Sequence, residues 1–253
     1  MLLSRHLKNA FRRVLSSAGY EIYRRPHLPK GTDAFESLRS HWPQWRPRVI
    51  FDVGANVGQT VERLRPLFPS ATIHSFEPVP ATFAALKTKT CGDIKVHCHA
   101  LALADHAGET WIQLHESSDQ NSLVPSLVGT TGASGPKVRL ELDTLAAFCA
   151  RQGITRIDLL KIDVEGFEMA VLQGAAPLLA AGAIDYIVVE AGLMPGNPRF
   201  TPLPELIDRL RPHGFWLIGV YEQYGCRYTQ TAEFCNALFA LEKHLTRDDR
   251  LPD

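Results

Sequence analysis

Residues 49–60 have the sequence VIFDVGANVGQT, and this stretch decides the fold. It begins as a short apolar run rich in β-branched residues, which is typical of a buried parallel strand. The run breaks at Gly54 and Gly58, and residues 60–64 then resemble the start of a helix. A strand, a glycine turn and a helix in this order bring a nucleotide-like ligand against backbone N–H groups and the positive helix end.

The spacing of this turn indicates the kind of nucleotide. A dinucleotide fingerprint aligned on Gly54 would need glycine where the chain has Asn56 and Gln59, and the Gly-Lys-Ser/Thr of a Walker loop is also absent. The pattern D-x-G-x-N-x-G that remains suits a ligand without phosphates that carries an ammonium and a carboxylate. We therefore predict that S-adenosylmethionine (SAM) binds at Asp52, Gly54, Ala55, Asn56 and Gly58.

The second predicted strand supports the same ligand. Its end has the sequence IHSFEP, residues 73–78, which places Glu77 roughly 20 residues after the first strand, where a carboxylate holds a ribose diol. The alternative is that the glycines only form a tight turn and that Glu77 is a surface carboxylate. The strand–turn–helix–strand order favours the nucleoside site. Ala100 and Leu101, at the end of the third predicted strand, are further cofactor-binding candidates.

Three motifs of the chain resemble the FkbM-family methyltransferases: DVGANVG at 52–58, FEP at 76–78 and IDLLKIDVEGFE at 157–168. The last motif is the most specific, and the resemblance covers about residues 47–241. It implies a class I SAM-dependent methyltransferase that O-methylates a hydroxyl of a sugar, glycolipid, polysaccharide or polyol-like natural product. It also implies that Asn121 and Ser122 contact this small-molecule or glycan acceptor.

Strand-like and helix-like patterns alternate along the chain, which predicts a doubly wound, Rossmann-like, mostly parallel α/β sheet. The seven predicted strands are residues 48–53, 71–76, 95–100, 157–162, 186–189, 215–220 and 236–241. Residues 109–114 and 137–142 should form a hairpin-like pair around a long polar loop, and residues 166–180 a single helix. The predicted domains are an N-terminal helical extension at 1–46, a methyltransferase domain at 47–241 and a charged tail at 242–253.

Composition narrows the class of partner and the compartment. The chain has 27 Lys+Arg and 27 Asp+Glu, so its neutral balance gives no support for a nucleic-acid partner. Its five cysteines are odd in number and form no C-x-x-C pair, which is typical of reduced cysteines in a cytoplasmic protein. No run of 18 apolar residues is present, so the sequence predicts no membrane span.

Residues 1–20 predict a basic amphipathic helix, with apolar side chains at helical spacing and basic side chains among the others. Such a helix can lie on an anionic membrane, which would make the protein peripheral to the inner face of that membrane. The alternative, which we favour, is that the helix packs on its own domain or on a second subunit of a homo-oligomer.

Two acids at the carboxyl ends of predicted strands are catalytic candidates. Asp163 follows the fourth strand and Glu190 the fifth, on the methyl side of the SAM site. An aliphatic hydroxyl needs a base or a metal ion to lose its proton during methyl transfer. The two acids can act as a base with its orienting partner or as two ligands of Mg²⁺, and the sequence leaves both open. For Asp163, a helix N-cap is the structural alternative.

Four further side chains have a predicted role from their place in the sequence. Lys161 interrupts an apolar strand, so we expect it to point to a polar cleft or an acid such as Asp52 and include it in the cofactor-binding set; the alternative is a snorkelling edge residue. His115, at the start of the long loop, is the best histidine candidate for a general base. Glu165 and Glu168 are expected in the first turn of the next helix, complementing its dipole, and are left out of the catalytic set.

Two other functions stay open on the sequence alone. A nicotinamide-dependent Rossmann oxidoreductase is disfavoured by the missing glycines of the turn. A catalytically inactive SAM-fold protein, acting as a binding or scaffold partner, would keep the turn and Glu77 after its chemistry was lost.

Overall fold

A computed structural model describes residues 13–20, 23, 31–114, 136–194, 196–225 and 231–245 of the 253-residue chain. Within these ranges the strands are β1 (Val49–Val53), β2 (Thr72–Phe76), β3 (Val96–His99), β4 (Ala102–Ala104), β5 (Gly108–Gln113), β6 (Lys137–Thr144), β7 (Ile157–Ile162), β8 (Ile184–Gly192), β9 (Phe215–Gly225) and β10 (Ala232–Leu241). The helices are α1 (residues 13–17), α2 (Ala34–His41), α3 (Gln59–Leu67), α4 (Pro80–Thr90), α5 (Leu145–Gln152), α6 (Glu168–Gly174), α7 (Ala176–Ala180) and α8 (Leu203–Leu210).

Seven strands form one sheet in the order β3-β2-β1-β7-β8-β10-β9. The five strands from β3 to β8 run parallel, while β10 is antiparallel to both β8 and β9. The predicted α/β class and all seven predicted strands are confirmed, although β8, β9 and β10 are longer than expected. This order places the carboxyl ends of β1, β2, β7 and β8 side by side at one edge of the sheet.

A second sheet of three strands has the order β4-β6-β5. β5 and β6 pair antiparallel, as the predicted hairpin-like pair required, and they lie outside the main sheet. β4 pairs in parallel with β6. Sequence analysis missed β4 because three residues are too few to show an alternating pattern.

The single helix predicted at 166–180 is wrong, because the structure begins it later and divides it in two. Glu165 and Gly166 have φ angles of 54° and 91°, which are left-handed and cannot belong to the helix. Helix α6 therefore starts at Glu168, and it ends before Ala175. Pro177 lies in the first turn of α7, where a missing N–H is harmless, whereas in a continuous helix its ring would clash with the preceding turn.

Both faces of the main sheet are buried. Ile50 packs with Ile73 and Leu159 on one face, whereas Phe51 packs with Leu160 among a larger cluster on the other. Neighbouring residues of a strand point to opposite faces, so a strand covered on both sides is apolar throughout. Full burial of a large apolar side chain contributes roughly 1.5–3 kcal/mol. The core therefore holds the strand ends, and the turns that follow them, in fixed positions.

Helix α2 packs on the same core. Its Phe35 and Leu38 are buried in the cluster that contains Ile50, and Asp33 caps the helix by accepting hydrogen bonds from two backbone N–H groups. Trp42 and Trp45 follow the helix and contact the buried ring of Tyr186 at centroid distances of 5.2 and 4.9 Å. Helix α2 thus shares the apolar core of the sheet.

Of the amphipathic helix predicted at residues 1–20, residues 13–17 are helical, residues 18–20 are not, and residues 1–12 lie outside the described residues. Val14 in this segment is 65% exposed, so its apolar side chain has little cover from the described part of the chain. None of the helices in the described ranges combines the length and the apolar character that a bilayer crossing needs.

Candidate active site

The turn after β1 lies wedged between the ends of its two neighbouring strands. Gly54 N and Ala55 N donate hydrogen bonds of 3.1 and 2.9 Å to the carbonyl oxygen of Phe76, the last residue of β2. On the other side, a Cβ added to Gly54 would lie 1.7 Å from the carbonyl oxygen of Asp163, which follows β7. Gly54 also has a φ of +80°, so both the space and the backbone conformation require glycine.

Glu77 lies beneath this turn at the end of β2. Its Oε2 accepts a hydrogen bond of 3.1 Å from Asn56 N, and its Oε1 accepts one of 2.9 Å from Val79 N. Burial raises the pKa of Glu77 to about 7, although these two backbone N–H groups oppose the shift. Each carboxylate oxygen can accept a second hydrogen bond, so the two oxygens together fit a ribose diol.

Lys161 connects the turn after β1, which is the predicted cofactor turn, to the acids beside it. Its Nζ lies 3.0 Å from Asp163 Oδ2, 3.6 Å from Asp52 Oδ1 and 3.4 Å from the carbonyl oxygen of Gly54. Burial acts to lower the pKa of Lys161, but the charges of Asp163 and Asp52 outweigh it and leave the pKa raised. The side chain therefore points into the polar cleft, as expected, and a snorkelling position at the sheet edge is excluded.

Three carboxylates meet at the ends of β7 and β8. Ligand-capable oxygens of Asp163, Glu165 and Glu190 all lie within 4.8 Å of one another. Asp163 does not cap the helix, because the N-cap of α6 is Phe167. Glu165 is not in the first helical turn either: its left-handed backbone turns the side chain toward Arg199, whose Nε and Nη2 donate bonds of 3.0 and 2.8 Å.

The closeness of these acids changes their protonation. Burial, and then the charges of Asp163 and Glu165, raise the pKa of Glu190 to about 10. Burial also raises the pKa of Glu165 to about 7, against the opposing charge of Arg199. Like charges this close favour the neutral form of one partner, so at neutral pH the cluster holds a proton on Glu190.

Glu168 fixes the turn that presents these acids. It is fully buried, and its Oε1 accepts bonds of 3.4 and 3.0 Å from Val164 N and Gly166 N. Its Oε2 accepts bonds of 2.6 and 3.3 Å from the hydroxyl and the backbone N of Thr201. Glu168 does lie in the first turn of α6, as predicted, and its carboxylate additionally ties the β7–α6 turn to the segment that follows β8.

These groups line one cavity of about 580 Å³, within the range of roughly 300–1,000 Å³ typical of small-molecule sites. The cavity wall includes the following predicted site residues: Gly54, Ala55, Asn56, Glu77, Leu101, Lys161, Asp163 and Glu190. Asp52 lies fully buried behind Lys161, Gly58 caps α3, and Ala100 follows β3, so these three are not part of the wall. The predicted His115, Asn121 and Ser122 lie outside the described residues.

Sequence reasoning missed several charged and amide residues of the same wall: Arg63, Glu165, Asn197, Arg199, Glu222, Glu233 and Asn236. They come from helix α3, from the turn after β7, from the segment after β8 and from β9 and β10. Only Glu165 had a signal in the sequence, since it directly precedes Gly166 and so stands at a candidate turn. The others reach the cavity through tertiary packing.

Comparisons with known proteins place the chain among methyltransferases. A model of the methyltransferase FkbM domain matches residues 52–217. The chain is 30% identical to 31-O-demethyl-FK506 methyltransferase FkbM of Streptomyces tacrolimicus, over 70% of this chain and 76% of that protein. It is 28% identical to 2-O-methyltransferase NoeI of Sinorhizobium fredii, over 52% of this chain and 58% of that protein. The solved structure of magnesium protoporphyrin IX methyltransferase (ChlM) from Synechocystis PCC 6803 with bound SAM has a TM-score of 0.47 and 11% identity, covering 92% of this chain and 96% of that one.

Proposed function

The chain belongs to the FkbM family of SAM-dependent methyltransferases, and we propose that it transfers the methyl group to a hydroxyl oxygen of a sugar or another polyhydroxylated acceptor. Two relatives support an oxygen acceptor by their names, which specify a 31-O-demethyl substrate and 2-O-methylation. The observation that carries the proposal is the cluster of Asp163, Glu165 and Glu190 beside the cofactor turn.

The cofactor half of the cavity has the groups that SAM needs. The carboxyl of Glu77 fits the ribose diol, Lys161 offers a positive charge for the carboxylate of the methionine end, and the carbonyl oxygen of Gly54 is an acceptor for its ammonium group. Bound SAM supplies a methyl group on a positively charged sulfur, which leaves as a neutral thioether. The protein's part is to hold the acceptor oxygen in line with the carbon–sulfur bond and to receive its proton.

The carboxylate cluster is suited to receive that proton. A hydroxyl oxygen becomes a stronger acid as its bond to the methyl carbon forms, so a nearby carboxylate takes the proton at that stage. Asp163 is held by Lys161, and it lies within reach of the protonated Glu190. We assign Asp163 as the base that takes the proton and Glu190 as the group that orients the hydroxyl of the methyl acceptor. The contact between Glu165 and Arg199 fixes the turn after β7.

A divalent cation is the second candidate for the same cluster. Mg²⁺ is bound through a few carboxylates plus waters, and three carboxylates meet within 4.8 Å here. Metal removal separates the two roles. Methyl transfer that survives treatment with EDTA assigns the cluster to proton transfer, whereas transfer that is lost and then restored by Mg²⁺ assigns it to the cation.

The variant Glu190→Ala tests the proposal. Glu190 orients the acceptor hydroxyl, and a misplacement of about 1 Å costs about 100-fold, so methyl transfer to the acceptor should fall by about that factor. The affinity for S-adenosylhomocysteine (SAH), measured by calorimetry, should stay within about twofold, because Glu77 and the turn remain intact. Glu205→Gln, an exposed acid on α8, is the matched control. Normal turnover by Glu190→Ala would remove this residue from the mechanism.

A further inference from the structure

We infer that the acceptor binds as a neutral, polyhydroxylated ring, stacked on Tyr224 and held at its hydroxyl groups by two amide–carboxylate pairs. This inference rests on the proposed function and names the part of the cavity that takes the acceptor. Four observations carry it: a stack of aromatic rings, its register relative to Glu190, a bulge that redirects Glu222, and the charge of the cavity wall.

The aromatic step consists of Phe200, Phe234 and Tyr224, which are stacked in that order. Ring centroids lie 4.6 Å apart for Phe200–Phe234 and 4.7 Å apart for Phe234–Tyr224, with interplanar angles of 19° in both pairs. Phe234 has a ring on each face, and Phe200 is buried. Tyr224, in contrast, is 52% exposed and lines the cavity, so it can present a flat apolar face to a ligand. An aromatic face attracts the polarised C–H groups of a saturated ring.

Strand register places this step close to the proposed chemistry. In the β8–β10 ladder Asn236 lies opposite Glu190, and Phe234 lies opposite Gly192. Residues two apart on a strand point to the same face, about 7 Å from each other. Because Tyr224 on β9 pairs with Phe234 on β10, it lies two strand spacings, roughly 10 Å, from Glu190 on β8, so the reacting hydroxyl of a stacked ligand has to extend across Phe234.

A bulge in β9 places a polar side chain, that of Glu222, beside the aromatic step. Two residues of β9 lie between Tyr221 and Tyr224, whereas one residue of β10 lies between the partners Phe234 and Asn236. Glu222 lies in this bulge with a φ of 47°. Bulges redirect side chains and occur next to active sites, and here Glu222 Oε2 accepts a bond of 2.7 Å from Asn236 Nδ2 inside the cavity wall.

A second amide–carboxylate pair is formed by residues that precede Phe200 and Phe234 in the chain. Asn197 Nδ2 donates a bond of 2.9 Å to Glu233 Oε1, and both residues line the cavity. A carboxylate accepts from hydroxyl groups, while an amide can both donate and accept. Each pair therefore matches two adjacent hydroxyl groups, which is the arrangement found on a sugar or cyclic polyol.

The charged residues in the described part of the wall disfavour an anionic acceptor. The described part of the wall includes six acids (Glu77, Asp163, Glu165, Glu190, Glu222 and Glu233) and three basic residues (Arg63, Lys161 and Arg199). All three bases already face acids, at Glu222, Asp163 and Glu165. A phosphate or carboxylate on the acceptor would therefore find each of these three bases already paired with an acid, and such a mismatch of charge suppresses the wrong ligand.

The test uses a panel of neutral methyl pyranosides, with hexose 6-phosphates as their anionic counterparts, in the presence of saturating SAH. Saturation-transfer NMR should show contact with the ring C–H protons of at least one neutral pyranoside and with none of the phosphates. Tyr224→Ala should weaken this binding about tenfold or more, whereas Tyr224→Phe, which keeps the ring, should retain it. Trp111→Ala, an exposed aromatic residue on β5, is the control that should change nothing.

The outcomes separate this inference from the proposed function. Equal binding by wild type and Tyr224→Ala, preference for the phosphates, or no pyranoside bound by the wild type would each overturn the inference. Unchanged SAH affinity in Tyr224→Ala shows that the variant is folded. If pyranosides bind through Tyr224 but no methyl group from SAM reaches any hydroxyl, the ring site stands and the proposed function fails.

Discussion

Gly54 is the residue with the least tolerance for a side chain. Its missing Cβ leaves room for the carbonyl oxygen of Asp163, which would lie 1.7 Å from that atom. We expect Gly54→Ala to push the turn away from the end of β7 and to abolish SAH binding. Calorimetric titration, together with the melting temperature, measures the effect.

Gly153 provides the matched control for that substitution. It also has a positive φ, of 67°, but nothing lies within 4 Å of an added Cβ. Gly153→Ala should therefore lower the free energy of unfolding only by the strain of a left-handed backbone, about 1–2 kcal/mol, and keep full SAH affinity. If Gly54→Ala bound SAH as tightly as Gly153→Ala, the proposed contact between the turn and Asp163 would be wrong.

His74 and His99 give the stability of the protein a dependence on pH. His74 Nδ1 lies 3.1 Å from His99 Nε2, and burial, followed by the charge of neighbouring histidines, lowers the pKa of each to about 4. In the unfolded chain the pKa returns to its ordinary 6.5. The unfolded state then binds more protons between pH 4 and 6.5, so this contribution to stability is complete above 6.5 and is lost as the pH falls toward 4.

The double variant His74→Phe/His99→Phe removes both titrating groups and keeps rings beside Phe148. Urea unfolding from pH 8 down to pH 4.5 should show a smaller loss of stability for this variant than for the wild type. His106→Gln changes an exposed histidine and serves as control. Identical pH profiles for the double variant and the wild type would mean that the two imidazoles are not held neutral.

Residue identities predicted part of the site and missed the rest for a physical reason. Lys161 was recognisable because a charge inside an apolar strand must meet a partner, and it does so at Asp163 and Asp52. Glu165 was assigned to the helix and not to the site, because an acid at a helix start usually complements the helix dipole. Its left-handed φ of 54°, which takes it out of the helix, depends on contacts with Arg199 that lie 34 residues away in the chain.

At the scale of elements, the β7–α6 turn and the segment after β8 form one unit that Glu168 holds together. Replacing this buried carboxylate by an amide leaves one acceptor oxygen and sets an NH2 group against the backbone N–H groups at the other position, either those of Val164 and Gly166 or that of Thr201. We expect Glu168→Gln to displace the acid cluster and, since a misplacement of about 1 Å costs about 100-fold, to lower turnover by a similar factor.

A kinetic and binding comparison checks this role of Glu168. SAH affinity should change little, because the cofactor turn is held by Phe76 and Lys161 instead. Thr201→Val, which removes only the hydroxyl donor, should show a smaller loss of turnover. Should Glu168→Gln lose SAH binding and turnover in equal measure, its role would be that of a general fold residue.

The long, strongly patterned elements were predictable, and the short ones were not. Strands β1 and β7 are mostly apolar and lie within parallel ladders, so their composition marks them. Strand β4 has three residues, and it exists because it pairs with residues of β6 that lie 40 positions later in the chain. The division between α6 and α7 had a visible cause in Pro177, which the predicted single helix did not take into account.

At the scale of the whole molecule, the sheet order brings the charged groups of the site together. The chain has equal numbers of acids and bases, yet the cavity wall holds twice as many acids as bases among the described residues. Strands that are distant in sequence position these acids: Glu77 follows β2, Asp163 follows β7, and Glu190 lies in β8. Alternating β and α patterns predicted this convergence at the carboxyl edge, whereas the contributions of β9 and β10 required the folded structure.

The most direct test of the account is a calorimetric titration of the full chain with SAH, repeated with NADH and with the variant Glu77→Ala. We predict that the wild type binds SAH and not NADH, and that Glu77→Ala weakens SAH binding by at least about tenfold through the lost ribose contacts. Binding of NADH in place of SAH, or SAH affinity unchanged by Glu77→Ala, would contradict the assignment of this cavity as the SAM site.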